Sequence, residues 1–336
     1  MPTNYIFLPP LKSPTGGLAV LHQVAASLHS AGLPVALVPR EPQPWTPDCS
    51  RDVPVVQWTD LALGPDDLWL VPEGWVNALA PGLNSGARTV LYVQNWAYLF
   101  SALPPGVSWS QLAVQFLAVS DPVAWFIRES TGQDAPILRP GIDLALFQPP
   151  SAPLPAAPVR VAYMPRKNKA WAAQIRAVVE NRAARTPSSP AIEWIEIAGQ
   201  NQEGVAAMLR RSHLFLATGY PEGCPLPPLE AMASGCPVVG YGGLGGFDYM
   251  RQAAPLPGAF APWFPLCDVP WGGNGLYAAD ADVMAAALAL EAAVGWAHCG
   301  DPRYTAAVDA ALATAQAYST EHQRQSVLAL WREFGP

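Results

Sequence analysis

Two carboxylates, Glu222 and Glu230, stand eight positions apart in the stretch Glu-Gly-Cys-Pro-Leu-Pro-Pro-Leu-Glu-Ala-Met-Ala-Ser-Gly-Cys-Pro-Val-Val, residues 222–239. The first falls in a loop rich in glycine and proline, the second on a short helix. That helix is expected to start near Pro227 or Pro228, since a proline in a first helical turn gives up an N–H that had no intrahelical partner. Gly235 stops it. Strands are expected before it, at 213–217, and after it, at 236–240. Strand, loop, helix and strand in this order put the N–H groups of a helix start, with a carboxylate on each side, at the carboxyl end of a parallel strand. Open α/β sheets hold phosphorylated ligands there. The same spacing also fits an ordinary βαβ unit with Glu222 solvated and Glu230 on a helix surface. Arg166, Lys167 and Lys169 come just before another helix, 170–184. They offer cations to an anion or form a solvated turn. Gly16-Gly17 precedes a helix expected over 18–31, which suits either close approach of a phosphate or a tight turn without a ligand.

The stretch 222–239 also closely resembles the signature of the family-4 glycosyltransferases, nucleotide-sugar-dependent retaining enzymes of the GT-B fold. In that signature Glu-x7-Glu is followed by Ala-Met-Ala-x-Gly-x-Pro-Val-Val. Gly223 after the first Glu, and Leu226-Pro227-Pro228-Leu229 before the second, add to the likeness. The segment Ile137-Leu138-Arg139-Pro140-Gly141-Ile142-Asp143, with Phe147 and Pro149, resembles the end of the family's first domain. The resemblance implies an α/β fold of two Rossmann-like domains facing a cleft, with a C-terminal helix crossing back to the first domain. It places Glu222 near the donor sugar and diphosphate, Glu230 on the ribose hydroxyls, and Gly223, Cys224, Leu226 and Gly199 among the donor contacts. Arg166 and Lys169, the latter in preference to Lys167, match the Arg and Lys that bind the diphosphate. Gly16 and Gly17 match a Gly-Gly loop that faces the diphosphate. Three departures stand out. Pro225 replaces a Gly whose N–H helps hold the donor sugar, Pro165 replaces the Gly before Arg166, and Val93-Gln94-Asn95-Trp96 lies where many members carry a His. Asn95 can hydrogen-bond but cannot act as a base at neutral pH; with Trp96 it is the acceptor-side candidate.

The reaction implied is transfer of a sugar from a nucleotide diphosphate sugar, UDP- or GDP-linked, to an acceptor hydroxyl, with retention. The acceptor is a glycan, a lipid-linked sugar or a small molecule. No cofactor beyond that substrate is expected, and no metal. The chain's one Asp-x-Asp, Asp280-Ala-Asp282, reads as a charge pair at a helix N-terminus, and the five histidines are scattered. A nucleotide-sugar epimerase of the same fold and a catalytically silent glycosyltransferase-like partner remain alternatives. Residues 240–245 formally satisfy G-x-G-x-x-G behind a strand, with Asp268 further on, but Pro255, Pro257 and Pro262 interrupt the helix a dinucleotide unit needs. They read as a Gly-rich loop beside the donor site.

At 336 residues the chain suits two domains of roughly 150 residues each. The expected domains are 1–150, 151–318 and a last helix, 319–336, packing on the first. Residues 149–158, with five prolines, form the linker by composition. Further strands are expected at 4–8, 35–38, 53–57, 67–71, 89–93, 116–119, 159–163 and 193–198, and further helices at 121–130, 205–211, 281–294, 302–318 and 320–333. With 51% hydrophobic and 13% charged residues the chain is core-rich. Lys plus Arg number six against eleven Asp plus Glu in 1–150, and thirteen against fifteen in 151–336. Neither half is basic, which disfavours nucleic acid and anionic lipid as partners. The apolar segment 283–297 reads as a packed helix, so no integral membrane segment is expected. Five cysteines without metal-ligand spacing suit a reducing cytoplasm. Trp58, Trp69, Trp75, Trp96, Tyr98, Phe100 and Trp109 crowd the first half, as core or as flat faces for an acceptor.

Overall fold

A computed structural model describes residues 2–43, 45–166, 168–256 and 260–334. Lys167 and Pro257 lie outside the described residues. The chain divides into two compact units, residues 2–141 with 321–334, and residues 142–320.

The first unit holds β1 (Asn4–Leu8), α1 (Gly16–Ser30), β2 (Val35–Pro39), β3 (Leu68–Pro72), α2 (Ala80–Ser85), β4 (Arg88–Val93), α3 (Tyr98–Ser101), β5 (Gln115–Ala118) and α4 (Asp121–Thr131). The strands form one parallel sheet in the order β2-β1-β3-β4-β5. β2 and β3 are buried along their whole length, as continuous apolar runs covered on both faces must be. Two helices begin at side-chain caps. The Thr15 hydroxyl accepts the Leu18 N–H at 3.2 Å, and that of Ser120 accepts the Val123 N–H at 3.4 Å, to start α1 and α4.

The second unit repeats the pattern with β6 (Val159–Tyr163), α5 (Lys169–Ala183), β7 (Ile192–Glu196), α6 (Gln202–Arg210), β8 (Leu214–Ala217), α7 (Leu226–Ala233), β9 (Val238–Tyr241), β10 (Gly275–Ala278), α8 (Val283–Cys299) and α9 (Pro302–Ala317). Its strands are again all parallel, in the order β10-β9-β8-β6-β7. Counted within the unit, this is the same strand order as in the first. The apolar α8 packs into the core through Ala286, Leu290, Ala293 and Val294. Among the described residues no single helix is long and apolar enough to cross a membrane. The last helix, α10 (Thr320–Phe334), serves the first unit: Trp331 is buried there, and its Nε1 donates to Asn4 Oδ1 at 3.0 Å.

Three features differ from the sequence reading. No strand forms over 53–57, where Val55 makes only an isolated bridge to Leu37, because Pro54 has no N–H for a ladder. β10 was not foreseen; it is four residues long and follows a segment dense in proline and glycine. The division falls at 141 instead of 150, since Ile142 bridges to Ser319 and Arg210 donates to the carbonyls of Leu146 (3.0 Å) and Gln148 (3.4 Å).

Candidate functional site

In open parallel sheets, ligands bind outside the carboxyl ends of the strands where the order reverses. In the second unit that point lies between β6 and β8. The loop after β6 carries Arg166 and leads to Lys169, while the loop after β8 carries Glu222, Gly223 and Cys224 and leads to Glu230 on α7. The topology thus gathers the two carboxylates and Arg166 at one edge of one sheet.

Glu222 is fixed by its backbone. Its N–H donates to the Gly243 carbonyl, and its own carbonyl accepts the Gly245 N–H, both at 3.0 Å. The contact is so close that a Cβ on Gly245 would lie 2.0 Å from the Gly223 carbonyl oxygen. Gly243 itself, at φ 61°, needs the freedom of glycine. Its N–H donates to Asp280 Oδ1 at 3.0 Å. Asp280 is therefore no partner in a helix-terminal charge pair. Asp282 alone caps α8, accepting the Ala285 N–H at 2.9 Å. Among the described residues, a single 3-10 turn, Gly245–Asp248, is the only helical element between the Gly-rich loop and α8. The described residues there do not form a dinucleotide unit.

Glu230 is partly buried on α7, and burial pushes its carboxyl up to about 7, with the Arg166 guanidinium acting in the opposite sense. That helix begins at Leu226, with Pro225 as its N-cap residue. Of the N–H groups usually left free at a helix start, those at positions 225, 227 and 228 are missing because all three residues are prolines. Leu226 supplies the remaining one, so the anion-binding capacity inferred from sequence for this terminus is much reduced. Arg166 is exposed. Lys169, the first residue of α5, lines a cavity of about 250 Å³ with Tyr163, Arg176 and Glu196, which neither Glu222 nor Glu230 reaches. Gly199 makes a positive-φ turn (65°) after the edge strand β7.

In the first unit the corresponding point lies between β1 and β3. Gly16 and Gly17 are the first two residues of α1 instead of preceding it, which leaves their N–H groups without helical acceptors. A Cβ on Gly17 would lie 2.2 Å from Gln94 Oε1, so the Gln94 amide rests on this glycine. Glu73, directly after β3, accepts the Gln94 N–H at 2.7 Å, and burial pushes its carboxyl up to about 7. Asn95 is buried and turns its Oδ1 back to the Ala97 N–H at 3.1 Å. Trp96 packs against Phe126 with ring centroids 5.4 Å apart. Trp69 and Trp109 are core, each with its indole N–H on a backbone carbonyl.

Glu73, Gln94, Asn168 and Asp280 were not picked out from the sequence as site residues. A polar residue placed immediately after a wholly apolar strand was the available signal for Glu73. Asn168, at φ 56°, donates from Nδ2 to the carbonyls of Thr218 (3.0 Å) and Tyr220 (2.9 Å), contacts that no sequence pattern announces. Among the described residues no three His, Cys, Asp or Glu side chains gather as metal ligands.

Residues 165–253 match a family model described as "Glycosyl transferases group 1". They run from the loop after β6 to beyond β9 and include Arg166, Lys169, Glu222 and Glu230. No curated protein sequence matches the chain. Among solved structures, sucrose-phosphate synthase from Thermosynechococcus elongatus is similar at TM-score 0.66 and 14% identity, over 99% of both chains. An S. aureus TarM mutant in complex with fondaparinux, alpha-GlcNAc-glycerol and UDP is similar at 0.66 and 9%, again over 99% of both. The catalytic domain of starch synthase IV from Arabidopsis thaliana, bound to ADP and acarbose, is similar at 0.59 and 12%, over 98% of this chain and 99% of that one. At such identities the likeness is one of fold: two parallel five-stranded sheets with their helices, the GT-B architecture.

Proposed function

We propose that this protein is a glycosyltransferase that moves a sugar from a nucleotide diphosphate sugar to an acceptor hydroxyl, with retention at the anomeric carbon and without a metal ion. The observation that carries the reading is the placement of Glu222, Glu230 and Arg166 around the β6/β8 switch point, inside the segment that matches group 1 glycosyltransferases. Solved structures of the same fold hold UDP and ADP, which supports a nucleotide donor.

In this reading Glu230 accepts hydrogen bonds from the ribose hydroxyls, and Glu222, Gly223, Cys224 and Leu226 face the sugar and diphosphate. Gly199, after the neighbouring strand β7, completes the donor side. Cleaving the anomeric C–O bond leaves an oxocarbenium-like sugar and a diphosphate that gains negative charge, which must be met by cations and N–H dipoles. Arg166 is the first cation and Lys169, at the start of α5, the second. The acceptor hydroxyl forms the new C–O bond and passes its proton to the departing phosphate oxygen. Asn95 and Trp96 are the acceptor-side residues, and the acceptor is a glycan, a lipid-linked sugar or a small molecule. Five free cysteines suit a reducing compartment such as the cytoplasm.

Pro225 supports a second reading, a catalytically silent partner protein, because it and its two neighbouring prolines strip donors from the place where the leaving group would sit. Calorimetric titration with UDP, GDP, ADP and TDP, on the native protein and on Glu230→Ala, separates the two. Binding of one nucleotide that is lost in the variant is the expected result. No binding by a folded native protein would remove the transferase reading.

A further inference from the structure

We propose that Asn168 is a positioning residue that holds the Arg166 loop and the Glu222 loop in register across the β6/β8 switch point. The inference rests on the roles given above to Arg166 and Glu222.

The argument starts from a local anomaly. Asn168 occupies the N-cap position of α5, where asparagine is a favoured residue because its side-chain oxygen can accept an N–H of the first turn. Here it makes no such bond. It also stands in the left-handed region, at φ 56° and ψ 42°. Asparagine tolerates that region better than most residues, but it still costs about 1 kcal/mol or more. The chain thus gives up a cap and accepts backbone strain at one residue. Local rules are broken in this way mainly where tertiary or functional demands override them.

The gain lies in the next loop of the same sheet edge. The Asn168 amide nitrogen donates both hydrogens, one to the Thr218 carbonyl at 3.0 Å and the other to the Tyr220 carbonyl at 2.9 Å. These carbonyls flank Gly219, over which the Glu222 carboxylate folds: a Cβ there would lie 2.9 Å from Glu222 Oε1. Tyr220 is held on its other side by an edge-on contact with Tyr241, with centroids 5.9 Å apart. Arg166 is two residues before Asn168. One planar amide therefore ties the segment that carries the cation to the segment that carries the carboxylate. Two hydrogen bonds from one side chain fix its orientation as well as its distance.

Two substitutions test this, because they separate conformation from hydrogen bonding. Asn168→Asp keeps size and tolerance of positive φ but turns acceptors toward two carbonyls. Asn168→Gly relieves the strain and removes the bridge. If the residue served only its backbone conformation, Gly, which adopts positive φ without strain, would behave at least as well as the native Asn. The proposal requires Gly to be worse than the native residue, because it lacks the two hydrogen bonds. Hydrogen exchange of the amides over 218–224 is expected to speed up at least about tenfold in Asn168→Gly, and further in Asn168→Asp, with Asn168→Gly still melting within a few degrees of the native protein. Nucleotide release from UDP-glucose, ADP-glucose and GDP-mannose is expected to show kcat reduced about tenfold or more, with KM and the Kd of the bare nucleoside diphosphate changed less than about threefold. Unchanged exchange over 218–224 in folded Asn168→Gly, or native behaviour of Asn168→Asp, would overturn the proposal. Because the exchange measurement needs no turnover, it decides the matter even if none of the three donors is consumed, an outcome that would count against the transferase reading alone.

Discussion

At Glu230 charge and burial conflict. Its carboxyl, ordinarily near 4.5, is pushed up to about 7 by burial. Below pH 4.5 folded and unfolded chains both hold the proton, and the group has no effect on stability. Between about pH 4.5 and 7 the unfolded chain releases its proton while the folded one keeps it, so stability falls as pH rises, by about 3 kcal/mol in all, and then levels off. Glu230→Gln removes this slope. The variant should equal the native protein at pH 4 and exceed it by up to about 3 kcal/mol at pH 8, as read from urea midpoints. The same difference at both pH values would refute the assignment. Ribose hydroxyls would donate to the ionised carboxylate, so nucleotide affinity should rise with pH through 7 in the native protein and lose that dependence in the variant.

At the scale of elements, the site depends on turns whose backbone leaves no slack. Gly245→Ala would drive a methyl group into the Gly223 carbonyl, 2.0 Å from the ideal Cβ position, and neither partner can move without releasing Glu222. A loss of about 1–3 kcal/mol in stability is expected, together with loss of nucleotide-dependent activity, measured by thermal melting and product assay. Ala281 stands at φ 67° in the turn between Asp280 and Asp282. Ala281→Gly should therefore stabilise the protein by up to about 1 kcal/mol, visible as a rise in Tm. The sequence revealed elements with strong local signals: α1 and α4 from helical patterns over 18–31 and 121–130, β3 and β8 from unbroken apolar runs. It also offered Glu222 and Glu230 as candidates, their eight-residue spacing falling inside a strand–loop–helix pattern. Contacts made across the sheet edge were not legible. Asn168 to Thr218 and Tyr220, Asp280 to Gly243, and Glu73 to Gln94 each join residues from different loops, and no period in the chain records such pairings. Pro54 misled in the other direction, since the run around it has strand composition but lacks a ladder donor.

For the molecule as a whole, two units with separate sheets and cores should melt as two transitions. Trp331, buried in the first unit and bonded to Asn4, belongs to only one of them. Trp331→Ala should lower that transition by about 3–5 kcal/mol and leave the other in place, while a bound nucleotide should raise the second unit's transition alone by mass action. A calorimetric scan in which both transitions fell together would contradict this division. The return of residues 321–334 to the first unit also bears on how the protein is made. A ribosome releases β1 through α4 early, but the strip of core that Trp331 covers stays open until residues 142–320 and then α10 have been synthesised. The second unit is complete first, and the nascent first unit must be kept from aggregating until α10 arrives.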